Sequence, residues 1–312
     1  MFQELIRPFY SFIERIDFLI DYNKKRLLES KGFKSKYPPK DGYVVPLTDD
    51  RMFRMFCRDN SNKCFVAKLI SLVTGIDYDL LIDRMVIVDS AIPEDNVVLH
   101  YNEQDVVVSI DNTTINLEAS TNIYSNKRKN ERTAFKYAGN QYKVGSSYED
   151  EVFIFYQICI ENYDLFKNDY LINEVKMANV TSGNYEIETD EFKKFHINLK
   201  LIDKLCYNDS EINRFFRFFI LDKEDELEKL CKGDELLMEA FEHLKNMSHD
   251  SIPMSLLEEK ELDDYCQRLA IMDAKNERNI EIAKKMIDMS SEINFISECT
   301  GLSVDEISDL KV

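Results

Sequence analysis

Asp105 and Glu118 are the residues whose type and spacing best suit chemistry. They fall in the stretch Gln104-Asp-Val-Val-Val-Ser-Ile-Asp-Asn-Thr-Thr-Ile-Asn-Leu-Glu-Ala-Ser120, whose period-2 alternation reads as a β-hairpin. Val106, Val108, Ile110, Ile115, Leu117 and Ala119 make one apolar row. Asp105, Val107, Ser109, Asn116, Glu118 and Ser120 make a second, mostly polar row, the pattern of a half-buried hairpin. The turn falls at Asp111-Asn112-Thr113. Asp105 lies opposite Glu118 if the loop is Asp111-Asn112, and opposite Ser120 if it is Asn112-Thr113. Either register leaves the two acids on one face with Cβ atoms roughly 5 to 8 Å apart, where like charges repel unless a cation or proton lies between them. Mg2+ or Mn2+ suits such a pair, because a hard ion takes one or two carboxylates plus waters and substrate phosphates. The plainer reading is two acids on the solvated face of a hairpin.

A basic segment follows directly. Between Thr121 and Tyr148 the bases Lys127, Arg128, Lys129, Arg132, Lys136 and Lys143 face one acid, Glu131, for a local net charge of +5. Lysine and arginine contacts to phosphates supply most nucleic-acid affinity, so Lys127, Arg128, Lys129, Arg132 and Lys136 are candidate DNA-binding residues. The alternative is a solvated helix face. The whole chain is acidic, net −18, but the excess lies at the other end. From Leu221 to Val312 there are 24 acids against 11 bases.

These groups need a frame to position them, and at 312 residues with 44% hydrophobic content the chain can bury a sizeable core. Residues 2 to 30 read as one amphipathic helix with Leu5, Phe9, Phe12, Ile13, Ile16, Leu19 and Ile20 on one stripe, which requires a surface to pack on. After a linker containing Pro38, Pro39 and Gly42, Thr48 or Asp49 caps a short helix carrying Met52, Phe53 and Phe56. A second helix runs from Lys63 to Thr74 and stops at Gly75. Met85 to Asp89 is the first strand and the hairpin supplies the next two. A helix over about Asn130 to Lys143 and a strand from Val152 to Ile160 complete an α/β core, with further strands near Leu171 to Met177 and Phe195 to Leu201.

Beyond that the chain is helical: Glu211 to Phe219, Glu224 to Cys231, Asp234 to Met247 and Leu256 to about Met289. The end reads as two short helices, the first broken by Gly301 and the second opened by a Ser303/Glu306 capping box. Glu292, Glu298, Asp305, Glu306 and Asp309 would repel phosphates there, so the pair suits packing or assembly. The resulting division is an N-terminal helix and linker over 1–42, an α/β domain over 43–205 and a helical region over 206–312. Homo-oligomerisation through the N-terminal helix or the C-terminal helices is expected.

No apolar run approaches the ~20 residues of a membrane span, and the N-terminus has no basic region followed by an apolar core. A cytoplasmic protein without a membrane partner is expected. Seven scattered cysteines with no CxxC pair suit a reducing compartment and argue against structural zinc. His100, His196, His243 and His249 form no ligand motif and read as surface or packing residues.

The order of these features resembles the PD-(D/E)XK nuclease family transposases, also called recombination-promoting nucleases. Asp105 and Glu118 on a hairpin before a basic helix are similar to the nuclease core. Pro46-Leu-Thr-Asp49 with Met52 to Phe56 is similar to the family's opening, and Gln141-Tyr-Lys-Val-Gly-Ser-Ser-Tyr148 to its Gln…Gly…Tyr helix end. Asp234 to Glu242, Glu281 to Met286 and Thr300 to Ile307 are similar to its C-terminal segments, so the resemblance spans about Tyr43 to Val312.

The resemblance implies a restriction-endonuclease-like mixed sheet flanked by helices, with a mainly helical C-terminal region. It also implies metal-dependent cleavage of DNA in a mobile-element or recombination setting. Asp105 and Glu118 carry over as Mg2+ ligands and Asp49 as either an outer-shell ligand or a helix cap. Two positions depart from the pattern. Gln104 replaces a proline that does no chemistry. Ser120 replaces the Gln or Lys donor that would orient the attacking water, leaving Lys127, Lys136 or Gln141 as substitutes. The competing expectation is a catalytically silent relative that binds nucleic acid or protein.

Overall fold

Several helix starts in this chain are marked by short polar side chains that accept from backbone N–H groups the helix itself leaves unpaired. In the computed structural model, which describes residues 12–30, 32–37, 40–88, 106–120, 153–179, 181, 186–202, 204 and 210–310, Asp49 does this for α2 (Asp50–Arg58); α1 is Phe12–Ser30. Gly75, at φ +76°, ends α3 (Lys63–Thr74) in a left-handed cap that a side chain would strain. Asp77 accepts from Leu80 N at 2.9 Å and starts α4 (Tyr78–Arg84), a helix too short for apolar spacing to announce.

Six strands follow: β1 (Val86–Val88), β2 (Val106–Ile110), β3 (Thr113–Ser120), β4 (Ile154–Glu161), β5 (Ile172–Asn179) and β6 (Glu186–Asn198). They form one mixed sheet in the order β1-β2-β3-β4-β6-β5. Neighbours are antiparallel from β1 to β3 and between β5 and β6, and parallel along β3-β4-β6. The hairpin pairs Ile110 with Thr113 and Val106 with Leu117, so its loop is Asp111-Asn112. Asp111 takes φ +49° there, a conformation that aspartate tolerates better than most side chains. The last strand begins well before Phe195, the expected start, and ends at Asn198, where Leu199–Leu201 tightens into a 3-10 turn.

One expectation about this hairpin fails. Among the described residues its polar row is not solvated: Val107, Asn116, Glu118 and Ser120 are buried and Ser109 half-buried, and the apolar row is buried too. The reason is β3's place in the sheet, hydrogen-bonded on both edges and parallel to β4, because parallel strands are covered on both faces.

The remaining helices are α5 (Glu211–Arg217), α6 (Glu224–Cys231), α7 (Glu235–His249), α8 (Ser251–Asp288), α9 (Ile293–Thr300) and α10 (Val304–Asp309). Contacts divide the chain into two units, residues 39–250 and residues 1–38 with 251–312. In the first, the segment before α2 is laced to the chain between α5 and α6: Val44 N donates to Asp222 O at 2.8 Å and Glu224 N to Gly42 O at 3.0 Å. Its helical core is aromatic. Phe65 stacks on Phe215 at 4.7 Å between ring centroids and meets the edge of Phe56 at 5.3 Å.

In the second unit α1 lies along α8. Leu19 is buried with Ala270 and Ala274, small residues that let two helices approach closely, and Lys24 Nζ donates to Asp263 Oδ1 at 2.6 Å. The helix pair α9–α10 closes on Ala283 of α8 through Ile296, Leu302 and Ile307, and the Ser303/Glu306 capping box is formed. No helix among the described residues is long and apolar enough to cross a membrane.

Candidate functional site

The buried polar row of β3 continues across the sheet because opposed residues on neighbouring strands point to the same side. Ladder pairing sets Asn116 beside Gln157 and Lys194, Glu118 beside Cys159 and His196, and Ser120 beside Glu161 and Asn198. Asn116 and Gln157 are 0% exposed, Glu118 1%, Ser120 and Glu161 3%, His196 6% and Lys194 8%. A sheet face with this density of polar groups away from water is costly unless the groups satisfy one another or a ligand.

Glu118 receives a hydrogen bond from Asn116 Nδ2 at 3.1 Å. The same amide's Oδ1 is buried and has no hydrogen-bond partner among the described residues. A carboxylate and an orphaned amide oxygen are hard donors, the type that Mg2+ or Mn2+ accepts. Asp105 lies outside the described residues, as do Lys127, Arg128, Lys129, Arg132, Lys136 and Gln141. Asp49 is a helix cap, its Oδ1 accepting from Arg51 N at 3.2 Å and Met52 N at 3.3 Å.

Ser120 belongs to a network that sequence spacing does not suggest. Tyr163 Oη donates to Glu161 Oε1 at 2.9 Å. Burial first, and then the adjacent Glu161 carboxylate, hold the Tyr163 phenol above its ordinary range, with Ser120 acting in the opposite sense. His196 Nδ1 lies 3.0 Å from the same Glu161 Oε1, and the Phe166 ring meets the imidazole edge-on at 5.1 Å between centroids. When Nδ1 carries the proton toward Glu161, Nε2 presents its lone pair. Asn198 Nδ2 reaches Asp164 Oδ1 at 3.1 Å.

His196 is therefore neither a surface residue nor simple packing. Cys159, Glu161 and His196 bring a thiol, a carboxylate and an imidazole within 4.8 Å of one another, a combination that neither the scattered cysteines nor the isolated histidines signalled. The i, i+2 spacing of Cys159 and Glu161 on a strand was the one local sign that both face the same way.

No family model, no curated protein and no solved structure matches this chain.

Proposed function

We propose that the chain is a metal-dependent DNA endonuclease of the PD-(D/E)XK transposase type, with a restriction-endonuclease-like sheet and with Asp105 and Glu118 as ligands to Mg2+ or Mn2+. The observation that carries the reading is Glu118 itself. It is a carboxylate 1% exposed, held by Asn116 Nδ2 beside a buried oxygen that lacks a partner among the described residues. Burying a carboxylate is expensive unless a cation or donors compensate it.

A bound ion supplies an activated water and screens the scissile phosphate. The chain's own part is to hold Glu118 on a rigid strand, orient its carboxylate through Asn116, and keep bulk water from this sheet face. The long donor missing at position 120 has a substitute in Lys194. It is on the same face, opposite Gln157 and two strands from Asn116, and so about 10 Å away at the ordinary strand spacing. DNA is held through the basic segment Lys127 to Lys136, and the setting is cytoplasmic, where reducing conditions suit cysteines that form no disulfide among the described residues.

The test is nicking of supercoiled plasmid with Mg2+ or Mn2+ by the wild type, Asp105→Ala, Glu118→Gln and Lys194→Ala. Cleavage by the wild type that is lost in the first two variants is expected. Equal products from wild type and Asp105→Ala would sink the assignment. A silent binding module is the second reading, favoured by one observation: the short Ser120 hydroxyl, where a long donor would act, is buried opposite Glu161 on the ladder. Metal-independent DNA retention by a wild type that cleaves nothing supports that reading.

A further inference from the structure

We propose that Cys159, Glu161 and His196 bind one zinc-class divalent ion, at a site distinct in its ligands and in its ion chemistry from the proposed carboxylate site at Glu118. Cys159 and Glu161 project from β4 to one side of the sheet, and His196 is the ladder partner of Cys159 on β6. The three offer sulfur, oxygen and nitrogen within 4.8 Å of one another, all buried. Around a tetrahedral zinc, ligand atoms at 2.0 to 2.3 Å from the metal stand about 3.3 to 3.6 Å apart. The His196–Glu161 pair, at 3.0 Å, is already inside that separation. The rest of the adjustment is a side-chain movement of about 1 Å.

The thiol decides the class of ion. A buried imidazole and carboxylate explain each other by hydrogen bonding, but a thiol converging on both adds a soft donor that Mg2+ and Ca2+ refuse and zinc, cobalt and their neighbours favour. Loading the ion exchanges the His196–Glu161 hydrogen bond for two bonds to one cation: the proton between them leaves Nδ1 and the neutral imidazole carries its proton on Nε2 instead, while the Cys159 thiol releases its proton to solvent. Tyr163 remains as the donor that orients Glu161 from outside, at 2.9 Å, and Phe166 walls the imidazole at 5.1 Å. Ligating carboxylates are characteristically held in this way. Three protein ligands leave one coordination position for water or a further donor.

The experiment uses the full chain, stripped with a chelator and titrated with Co2+ in the absence of Mg2+. One equivalent is expected to produce a saturable thiolate-to-cobalt charge-transfer band in the near ultraviolet that Zn2+ abolishes. Cys159→Ser, shown to be folded by circular dichroism, loses the band, whereas Asp105→Ala keeps it whatever the plasmid assay returns. A readout on the wild type needs no variant: Zn2+ should slow alkylation of Cys159 under partly denaturing conditions, mapped by mass spectrometry. A wild type with no saturable band, a band unchanged in Cys159→Ser, or alkylation of Cys159 indifferent to Zn2+ overturns the proposal.

Discussion

Ser120 and Glu161 face each other across the parallel β3–β4 ladder, and one phenol, Tyr163, donates to Glu161 at 2.9 Å while Ser120 acts on that phenol in the opposite sense to Glu161. A position that resemblance marks for a catalytic donor is thus built into a buried network with a strand neighbour. Removing the phenol oxygen leaves Glu161 short of a donor in a place where water does not replace it. Tyr163→Phe is therefore expected to destabilise the protein by about 1–3 kcal/mol, read as a lower urea midpoint at unchanged slope. Ser120→Lys must displace the same network and is expected to cost a similar ~1–3 kcal/mol as overpacking. A wild-type midpoint in both variants refutes the network.

How much of this was legible in the sequence varies with how local the cause is. Helix α3 has the bounds that apolar spacing and Gly75 predict, and the Ser303/Glu306 box forms because its partners are three residues apart. The hairpin was legible as a hairpin, and its structure selects one of the two registers that the turn residues allowed. Its burial was not, because the period-2 pattern describes a strand's own two faces and not what a parallel neighbour brings to cover them. The His196–Glu161 contact joins residues 35 apart in the chain, on strands made adjacent by the β4-β6 pairing. No spacing rule reaches that far.

Asp49 was open to two roles, and its Oδ1 accepting from Arg51 N and Met52 N speaks for the cap. Asp49→Ala should lower stability by about 1 kcal/mol, while Asp49→Ser, another good cap, should retain most of it. Metal-dependent nicking should survive Asp49→Ser. If serine restores stability and cleavage is nonetheless lost, Asp49 acts on the ion and not only on the helix.

Cysteine reactivity tests the packing of the helical core. Cys64 and Cys299 are exposed, whereas Cys231 is 0% exposed and its thiol is pushed up to about 12, by burial first and then by the Asp234 carboxylate, with Arg214 opposing. Since the thiolate is the nucleophile, a disulfide reagent at neutral pH should label Cys64 and Cys299 in the native protein and Cys231 only after denaturation. Peptide mapping identifies the sites. Labelling of native Cys231 at the rate of Cys64 contradicts the burial.

Acid should act partly through Glu224. Lys245 Nζ lies 2.8 Å from its Oε2 and His249 Nε2 lies 2.9 Å from its Oε1. The hydrogen bond from Lys245, and then that from His249, hold the Glu224 carboxyl below its ordinary value. A carboxyl depressed in the folded state contributes stability above its unfolded pKa of about 4.3, and the contribution disappears as pH falls through the folded pKa. Glu224→Gln should lower the melting temperature at neutral pH and converge on the wild type in strong acid. Parallel curves over the whole range exclude this pair as a source of acid sensitivity.

DNA affinity should follow the basic segment and not the acidic C-terminal helices. Each Lys or Arg that neutralises a phosphate releases counterions, so each contact removed lowers the slope of log affinity against log salt by roughly one unit. Lys129→Glu with Arg132→Glu should weaken binding and flatten that slope by about two units. Neutralising Asp305 and Asp309 on α10, which lies in the other unit and packs on α8 through Ile307, should leave the slope alone. Fluorescence anisotropy on a short duplex at several salt concentrations distinguishes the two. If the charge reversal leaves affinity and slope at wild-type values, while the α10 variant changes them, DNA is held by the helical unit and the assignment of the phosphate contacts to the basic segment is wrong.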